Sequence, residues 1–103
     1  MTEITANELK NLQEKGEKIL VQYTATWCGP CKALTPKLSN LSNEYENVTF
    51  VKIDVDNGDN ADLVLSLGIM SVPTVIVYNG EKIIDRSRGL QVDSYYKNVL
   101  NTI

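Results

Sequence analysis

Short apolar runs alternate with stretches of helical periodicity along this chain, and that alternation limits the folds that it can adopt. The run Ile19–Val21, which ends at Tyr23, is typical of a strand buried on both faces of a parallel sheet. Pro36 lies within the helical stretch that follows and is expected to kink it. Apolar residues recur there at the spacing of one helix face, at Leu34, Leu38, Leu41 and Tyr45. The pattern predicts helices packed on a sheet.

The segment before this strand predicts a first helix. Thr5 and Glu8 have the spacing of a capping box, in which each side chain bonds to the free backbone N–H of the other residue. The helix is expected to cover Ala6–Lys15 and to end at Gly16. Thr2–Ile4 is a candidate short strand ahead of it.

The second half of the chain continues the alternation. Val48–Val55 predicts a strand, Ala61–Leu67 a short helix, and Thr74–Tyr78 another strand. Asn79-Gly80 favours a type I′ hairpin turn into a returning strand over Glu81–Arg86. A last amphipathic helix is indicated by Val92, Tyr96, Val99 and Ile103. The whole predicts one α/β domain over residues 1–103, with a mixed sheet of four or five strands flanked by four helices.

Charge and hydropathy exclude two kinds of partner. The net charge is -3 and the pI is near 4.8, so no basic excess exists to neutralise the phosphates of a nucleic acid. The longest apolar run, Val72–Tyr78, is far shorter than the roughly 20 residues of a membrane span. Met1–Lys10 lacks the features of a secretory signal, so we expect a cytoplasmic location.

The absence of histidine removes much of enzyme chemistry. Ser-His-Asp triads, Cys-His dyads and histidine-bound metals are all excluded. The two cysteines, Cys28 and Cys31, are too few for the disulfide framework of a small secreted scaffold. Their spacing of three residues therefore reflects either a shared chemical role or coincidence.

The two cysteines lie in Trp27–Lys32 (WCGPCK), where the buried strand passes into the long helix. A cysteine at a helix N-terminus has a lowered pKa, so Cys28 is the expected nucleophile. Cys31, one turn into the helix, can break the mixed disulfide and is expected to be less exposed. Gly29 allows a tight approach, and Pro30 suits the first helical turn because its missing N–H has no partner there.

Two other interpretations of the pair remain open. Cys28 and Cys31 could be ordinary buried residues that are three apart by chance. A zinc site needs four ligands, so it would require two copies of the chain to supply four thiolates. No metal is therefore expected in a single chain.

Several further segments accompany the WCGPCK motif, and they are Pro36, Lys52–Asp56 (KIDVD), Gly68–Thr74 (GIMSVPT), the Asn79-Gly80 turn and Gly89. In this combination the chain resembles the thioredoxin family over its whole length. The resemblance implies a central sheet flanked by four helices and a cis peptide bond between Val72 and Pro73 that faces the cysteines. It also implies a groove that receives an extended substrate segment.

The resemblance further implies a protein-disulfide reductase in which Cys28 attacks and Cys31 resolves. It implies no bound cofactor, because the cysteines carry the electrons. The partners would be disulfide-containing proteins and a thioredoxin reductase or another thiol reductant. For a chain of this size we expect a monomer. The Gly29-Pro30 pair between the cysteines resembles that of the reducing branch of the superfamily, since oxidases and isomerases of this fold typically carry a histidine there. The residues expected to line the docking surface are Trp27, Ser71, Val72, Pro73 and Gly89.

The chain departs from the family pattern at Gln22, where thioredoxins usually have a buried aspartate. In the family that carboxylate, close to the lysine that corresponds to Lys52, helps to deprotonate the resolving cysteine. A glutamine can form hydrogen bonds but cannot accept a proton. We hypothesise that the Cys28 thiolate is less disfavoured than in thioredoxins with the aspartate, because no buried negative charge lies nearby. Deprotonation of Cys31 is expected to be slower than in those proteins. The alternative is that Gln22 only fills a polar pocket.

Smaller departures concern the surface. Thr24 replaces an aromatic residue, and Asp56–Leu65 is longer than usual, which predicts a local loop change. Arg88 lies where the docking surface is usually apolar, and a cation there could favour acidic partners. Asp54–Asp59 suggests a calcium loop, but the glycine offset is wrong and no glutamate closes the loop, so we predict a solvated turn.

Two alternatives to a reductase stay open. The missing aspartate keeps a thiol oxidase or isomerase under consideration, because thiolate stability sets the reduction potential. The chain could also be a docking subunit that grips a partner through the groove around Pro73, with incidental redox activity.

Overall fold

A computed structural model of residues 1–103 contains the secondary structure that the sequence pattern predicts, in the predicted order. The five strands are β1 (Thr2–Glu3), β2 (Lys18–Thr24), β3 (Val48–Asp54), β4 (Thr74–Asn79) and β5 (Lys82–Arg88). The four α-helices are α1 (Ala6–Glu14), α2 (Gly29–Ser42), α3 (Ala61–Leu67) and α4 (Asp93–Leu100), with a 3-10 turn over Gly58–Asn60. The predicted fold class is confirmed, and the sheet has five strands.

The strand that was predicted to be buried on both faces lies in the middle of the sheet. The strand order is β1-β3-β2-β4-β5, with β2 parallel to β3 and antiparallel to β4. Residues 19–23 of β2 are all buried. This arrangement brings the carboxyl end of β2, from which the cysteine motif emerges, to the edge where β3 also ends.

The core is divided between the two faces of the sheet, as the alternation of side chains along a strand requires. Leu20 of β2 packs with residues of α2 and α4, among them Leu34, Leu38 and Tyr96. Ile19, Val21 and Tyr23 pack on the opposite face with the α1 residue Leu9 and with parts of β3 and β4. Gln22 has the parity of Leu20, so its side chain lies on the α2 face.

Helix α1 begins as predicted. The Thr5 hydroxyl accepts from the Glu8 N–H at 3.3 Å, and the Glu8 carboxylate accepts from the Thr5 N–H at 3.1 Å. The capping box therefore forms in full.

No helix of the structure combines the length and the apolar character needed to cross a bilayer.

Some predicted boundaries are wrong. Helix α2 ends at Ser42, so Tyr45 lies beyond it and packs half-buried against the core. Helix α4 is shorter than its apolar spacing suggested: Val92 is its N-cap and is exposed, and Ile103 follows its end. Tyr45 and Ile103 lie outside their helices but pack against the core, so they continue the apolar spacing without being helical.

The hairpin turn is also not of the predicted type. Asn79 pairs with Lys82, so Gly80 and Glu81 are the central residues. Only Gly80 has a positive φ, of 60°, whereas a type I′ turn needs positive φ at both central positions. The turn therefore has a positive φ only at a glycine in the first central position, as a type II′ turn does. The Gly80 N–H donates to the Glu17 carbonyl at 2.8 Å, which ties the turn to the start of β2.

Candidate active site at the start of helix α2

The cysteine motif forms the junction between β2 and α2. Cys28 is the N-cap of α2, with an extended backbone (φ -82°, ψ 110°), and Pro30 lies in the first turn. The Cys28 Sγ accepts from the Cys31 N–H at 3.2 Å. A sulfur in this position meets the free N–H groups and the positive end of the helix dipole, which favour a thiolate.

Cys28 and Cys31 are joined by a disulfide, with their Cα atoms 5.3 Å apart. Both residues are 2% exposed. The expectation that Cys31 would be the less exposed of the two is therefore wrong for the disulfide form, because both cysteines belong to one small buried cluster. The pair packs with Ala25 and against Val55 and Val72.

The segment before β4 completes the site. The peptide bond between Val72 and Pro73 is cis. Thr74 Oγ1 donates to the Ser71 carbonyl at 2.7 Å, and the Gly89 N–H donates to the Pro73 carbonyl at 2.8 Å. These bonds hold Ser71, Val72, Pro73 and Gly89 in one loop region, and Val72 contacts the cysteine pair.

A largely apolar groove runs beside the disulfide. Trp27 is 68% exposed, and its indole Nε1 donates to Asp56 Oδ2 at 2.6 Å. Met70 is 93% exposed. The groove is lined by Trp27, Val55, Asp56, Val64, Ile69, Met70, Ser71 and Val72.

On the other side of the disulfide, a second depression reaches Cys31. Lys52 on β3 is directly opposite Gln22 on β2 and is half-buried. Its ammonium group is in no salt bridge. The exposed Lys32 also borders this depression, whose other lining residues are Glu3, Thr24, Ala25, Thr26, Thr35 and Asp54.

Gln22 connects this depression to the active-site helix. It is fully buried. Its Nε2 donates to the Cys31 carbonyl at 3.4 Å, and its Oε1 accepts from the Thr35 hydroxyl at 3.0 Å. The Thr35 hydroxyl also lies 3.0 Å from the Cys31 carbonyl. Both ends of the amide are therefore used, so Gln22 is a satisfied buried polar residue in contact with the resolving cysteine.

The expectation that Gly29 is needed for a tight approach is not supported. A Cβ at Gly29 would meet no atom within 4 Å, so no close approach requires glycine there in the free protein. A Cβ at Gly89 would likewise have space, but Gly89 has φ 78°, a conformation that favours glycine.

Sequence reasoning missed several residues around the site. Thr35 lies one helical turn after Cys31, and that spacing is a signal that could have found it. Asp56 is in the segment Asp54–Asp59 that was predicted to be a solvated turn, and Asn60 directly follows that segment. Asn60 is buried, and its side chain bonds to the Ala6 N–H at 2.7 Å and the Asp54 carbonyl at 2.9 Å. No local pattern distinguishes it from its exposed neighbours.

Comparison with known proteins places the chain in a family. A family model described as thioredoxin matches residues 2–101. The chain is 39% identical to thioredoxin-1 of Schizosaccharomyces pombe over 79 residues, which are 76% of this chain and 75% of that protein. It is 35% identical to thioredoxin-2 of Saccharomyces cerevisiae over 86 residues, covering 82% of this chain and 81% of that protein.

Solved structures agree with these matches. The oxidised form of mitochondrial thioredoxin 3 from Saccharomyces cerevisiae superposes with a TM-score of 0.84 at 30% identity, covering 98% of this chain and 94% of that chain. Fasciola hepatica thioredoxin gives a TM-score of 0.85 at 29% identity and covers 98% of both chains. Together with the Cys28–Cys31 disulfide, these matches show that the chain belongs to the thioredoxin family and is a thiol-disulfide oxidoreductase.

Proposed function

We propose that the chain works as a protein-disulfide reductase, and the observation that carries this proposal is the Cys28–Cys31 pair at the N-terminus of α2 beside Val72. In the reduced protein, the Cys28 thiolate attacks one sulfur of a substrate disulfide, and the other substrate sulfur leaves as a thiolate. The Cys31 thiolate then attacks the Cys28 sulfur. The second substrate thiol is released and the Cys28–Cys31 disulfide forms, so two electrons pass to the substrate.

The role of nucleophile falls to Cys28 because of its position as N-cap. Its sulfur already accepts the Cys31 N–H, and that donor stabilises a thiolate once the disulfide is reduced. Cys31 lies inside the first turn, and the Gln22 side chain contacts its carbonyl oxygen. Cys31 is therefore the resolving residue, with Gln22 and Lys52 as residues that tune its proton loss.

The groove beside the disulfide is the docking surface for the substrate. Its exposed apolar side chains, Trp27 and Met70, offer area that a bound segment would bury. Val72 supplies backbone groups at its rim for an extended chain, whereas the Pro73 carbonyl and the Gly89 N–H bond to each other.

The catalytic cycle needs a source of two electrons but no bound cofactor, because the thiols store the electrons between the half-reactions. A thioredoxin reductase or a low-molecular-weight thiol would return the disulfide to the dithiol. The chain would thereby carry electrons to protein disulfides and contribute to redox homeostasis.

The proposed location is the cytoplasm, since a dithiol reductant is useful where thiols are kept reduced. Relatives of the chain include a mitochondrial form in Saccharomyces cerevisiae and a chloroplastic form in Arabidopsis thaliana. Subcellular fractionation of the source cells would decide, and recovery in an organelle fraction would contradict the proposal.

The test of the reductase is the reduction potential of the pair. The pure protein is equilibrated in a series of glutathione redox buffers, and the fraction with the Cys28–Cys31 disulfide is quantified. A reductase requires a potential of about -240 mV or lower, at or below the cytosolic glutathione poise. A markedly more oxidising value would favour an oxidase or isomerase. Gln22 would then be the first residue to test as the cause of the higher potential.

A second experiment tests the roles of the two sulfurs. The Cys31→Ser variant should trap a mixed disulfide between Cys28 and a substrate protein, whereas Cys28→Ser should trap none. If the double variant Cys28→Ser, Cys31→Ser keeps the function of the protein in cells, the docking-subunit alternative is correct and the reductase is not.

A further inference from the structure

Two arginines on β5 lie beside the groove without a carboxylate partner. Arg86 and Arg88 are exposed, and as alternate residues of a strand they share one face of the sheet edge. Both salt bridges of the structure involve α4 and neither involves these arginines. Arg86, Arg88, Gly68 and Met70 line one depression, which we name the arginine cleft.

Arg86 is held in place by the end of helix α3. Its guanidinium donates to the carbonyl oxygens of Leu67 and Gly68, the latter at 3.1 Å. A guanidinium has five N–H donors in a fixed fork, so three remain for a ligand. The side chain of Arg88 donates no hydrogen bond within the protein, so all of its guanidinium N–H donors are free to bind a ligand.

The arginine cleft adjoins the groove. Met70 lines both depressions, the groove together with Trp27 and the cleft together with the two arginines. Arg88 pairs in register with Thr74, the residue after Pro73. A segment laid along the groove past Val72 therefore has Arg88 within reach on one side.

The two ends of this surface differ in charge. Asp56 lies at the Trp27 end, where the indole holds its carboxylate at 2.6 Å. The arginines lie at the other end. The chain as a whole is acidic, with a net charge of -3, so the arginine cleft is a local exception to its charge. A substrate segment would meet opposite charges on the two sides of its cysteine.

We propose that the arginine cleft binds an acidic side chain of the substrate protein, located on one side of the cysteine that Cys28 attacks. This inference rests on the proposed reductase function and adds its substrate class. A carboxylate can accept two parallel hydrogen bonds from a guanidinium, which gives geometric specificity. Because Asp56 repels an acidic group at the opposite end, the charges also set the direction in which the segment binds.

The test uses short peptides with a single cysteine in disulfide linkage to 2-mercaptoethanol, which is uncharged. Each peptide has glutamate or glutamine at one position within three residues on either side of the cysteine. The rate measured is kcat/KM for reduction by the wild-type protein and by Arg88→Gln. Lys82→Gln is the matched control, because Lys82 is an exposed cation at the far end of the same strand.

The wild type should prefer glutamate over glutamine about threefold at low salt, at positions on one side of the cysteine only. Arg88→Gln should bring this ratio close to one, and Lys82→Gln should keep it. Adding salt should reduce the wild-type ratio, a measurement that does not depend on any variant folding.

Equal rates for the glutamate and glutamine peptides at every position would overturn the arginine cleft and leave the reductase intact. A preference that persists in Arg88→Gln, or that Lys82→Gln loses equally, would overturn it too. If the wild type reduces none of the peptides, both the reductase and the arginine cleft are wrong.

Discussion

The buried side-chain amide of Gln22 donates to the carbonyl oxygen of Cys31, with 3.4 Å between nitrogen and oxygen. The Thr35 hydroxyl lies 3.0 Å from both the Gln22 Oε1 and that carbonyl oxygen, and its single proton is donated to one or shared between them. The first turn of α2 is thus fastened to the central strand by a neutral group. No carboxylate stands in this position to accept the proton of the resolving thiol.

Gln22→Asp should alter the thiol chemistry. A buried carboxylate near the cysteines disfavours the Cys28 thiolate by like-charge repulsion, and it gives Cys31 a proton acceptor. We expect a higher pKa for the Cys28 thiol and faster resolution of the mixed disulfide. Thiolate absorbance against pH and turnover of a protein disulfide are the measurements. Gln22→Leu is the control that removes the amide without adding an acid, and identical curves for wild type and Gln22→Asp would refute the hypothesis.

Asn60→Ala should destabilise the fold. The Asn60 side chain joins the start of α1 to the end of β3 through two hydrogen bonds, at 2.7 and 2.9 Å. Removing it leaves the Ala6 N–H unpaired, whereas the Asp54 carbonyl still accepts from the Asn57 N–H at 3.3 Å. We therefore expect the free energy of unfolding to fall by about 1–3 kcal/mol. Urea denaturation measures this. Asn57→Ala is the control in the same loop, and an equal effect there would contradict the special role of Asn60.

Tyr23 and Tyr78 form a buried hydroxyl pair, 2.9 Å apart. Either single change to phenylalanine leaves the other hydroxyl without its partner, so Tyr23→Phe or Tyr78→Phe should cost about 1–2 kcal/mol of unfolding free energy. The double variant removes both polar groups and should cost less than the sum of the two. A thermodynamic double-mutant cycle by urea denaturation tests this, and simple additivity would show that the hydroxyls do not interact.

The same pair makes stability depend on alkaline pH. The pKa values of the Tyr23 and Tyr78 phenols are raised above the ordinary value of 10.0, mainly because both groups are buried. The unfolded chain therefore loses these protons first. The stabilisation is fully present below pH 10 and is lost as the pH rises above it. Urea denaturation at pH 8 and pH 11 should show a larger loss for the wild type than for the double phenylalanine variant.

Asp56→Ala should affect the site more than the fold. Trp27 is the only tryptophan, and its Nε1 loses its acceptor in this variant. Because the pair is exposed, the unfolding free energy should change by less than about 1 kcal/mol. The indole fluorescence should change, and KM for protein disulfides should rise because Trp27 is no longer held at the groove. Unchanged fluorescence would show that the hydrogen bond is not kept in solution.

Local patterns were sufficient for the elements and for the location of the chemistry. The unbroken run at residues 19–23 predicted the buried central strand, and the capping box predicted the first residue of α1. Patterns failed where side-chain spacing continues outside an element, as at Tyr45, and where one turn type resembles another, as at Gly80. In these cases the deciding contacts come from residues distant in the chain, such as Glu17 for Gly80.

Local sequence patterns predict a Cys-Gly-Pro-Cys motif at the junction of a buried strand and a helix, because strand burial, helix start and cysteine spacing are all local properties. The residues that surround that motif depend instead on how distant parts of the chain pack together. Asn60 finds Ala6 at a separation of 54 residues, and Arg88 comes beside Met70 through the pairing of β4 with β5. Such partners depend on how the strands are ordered and packed, and no pattern within a short window records that order.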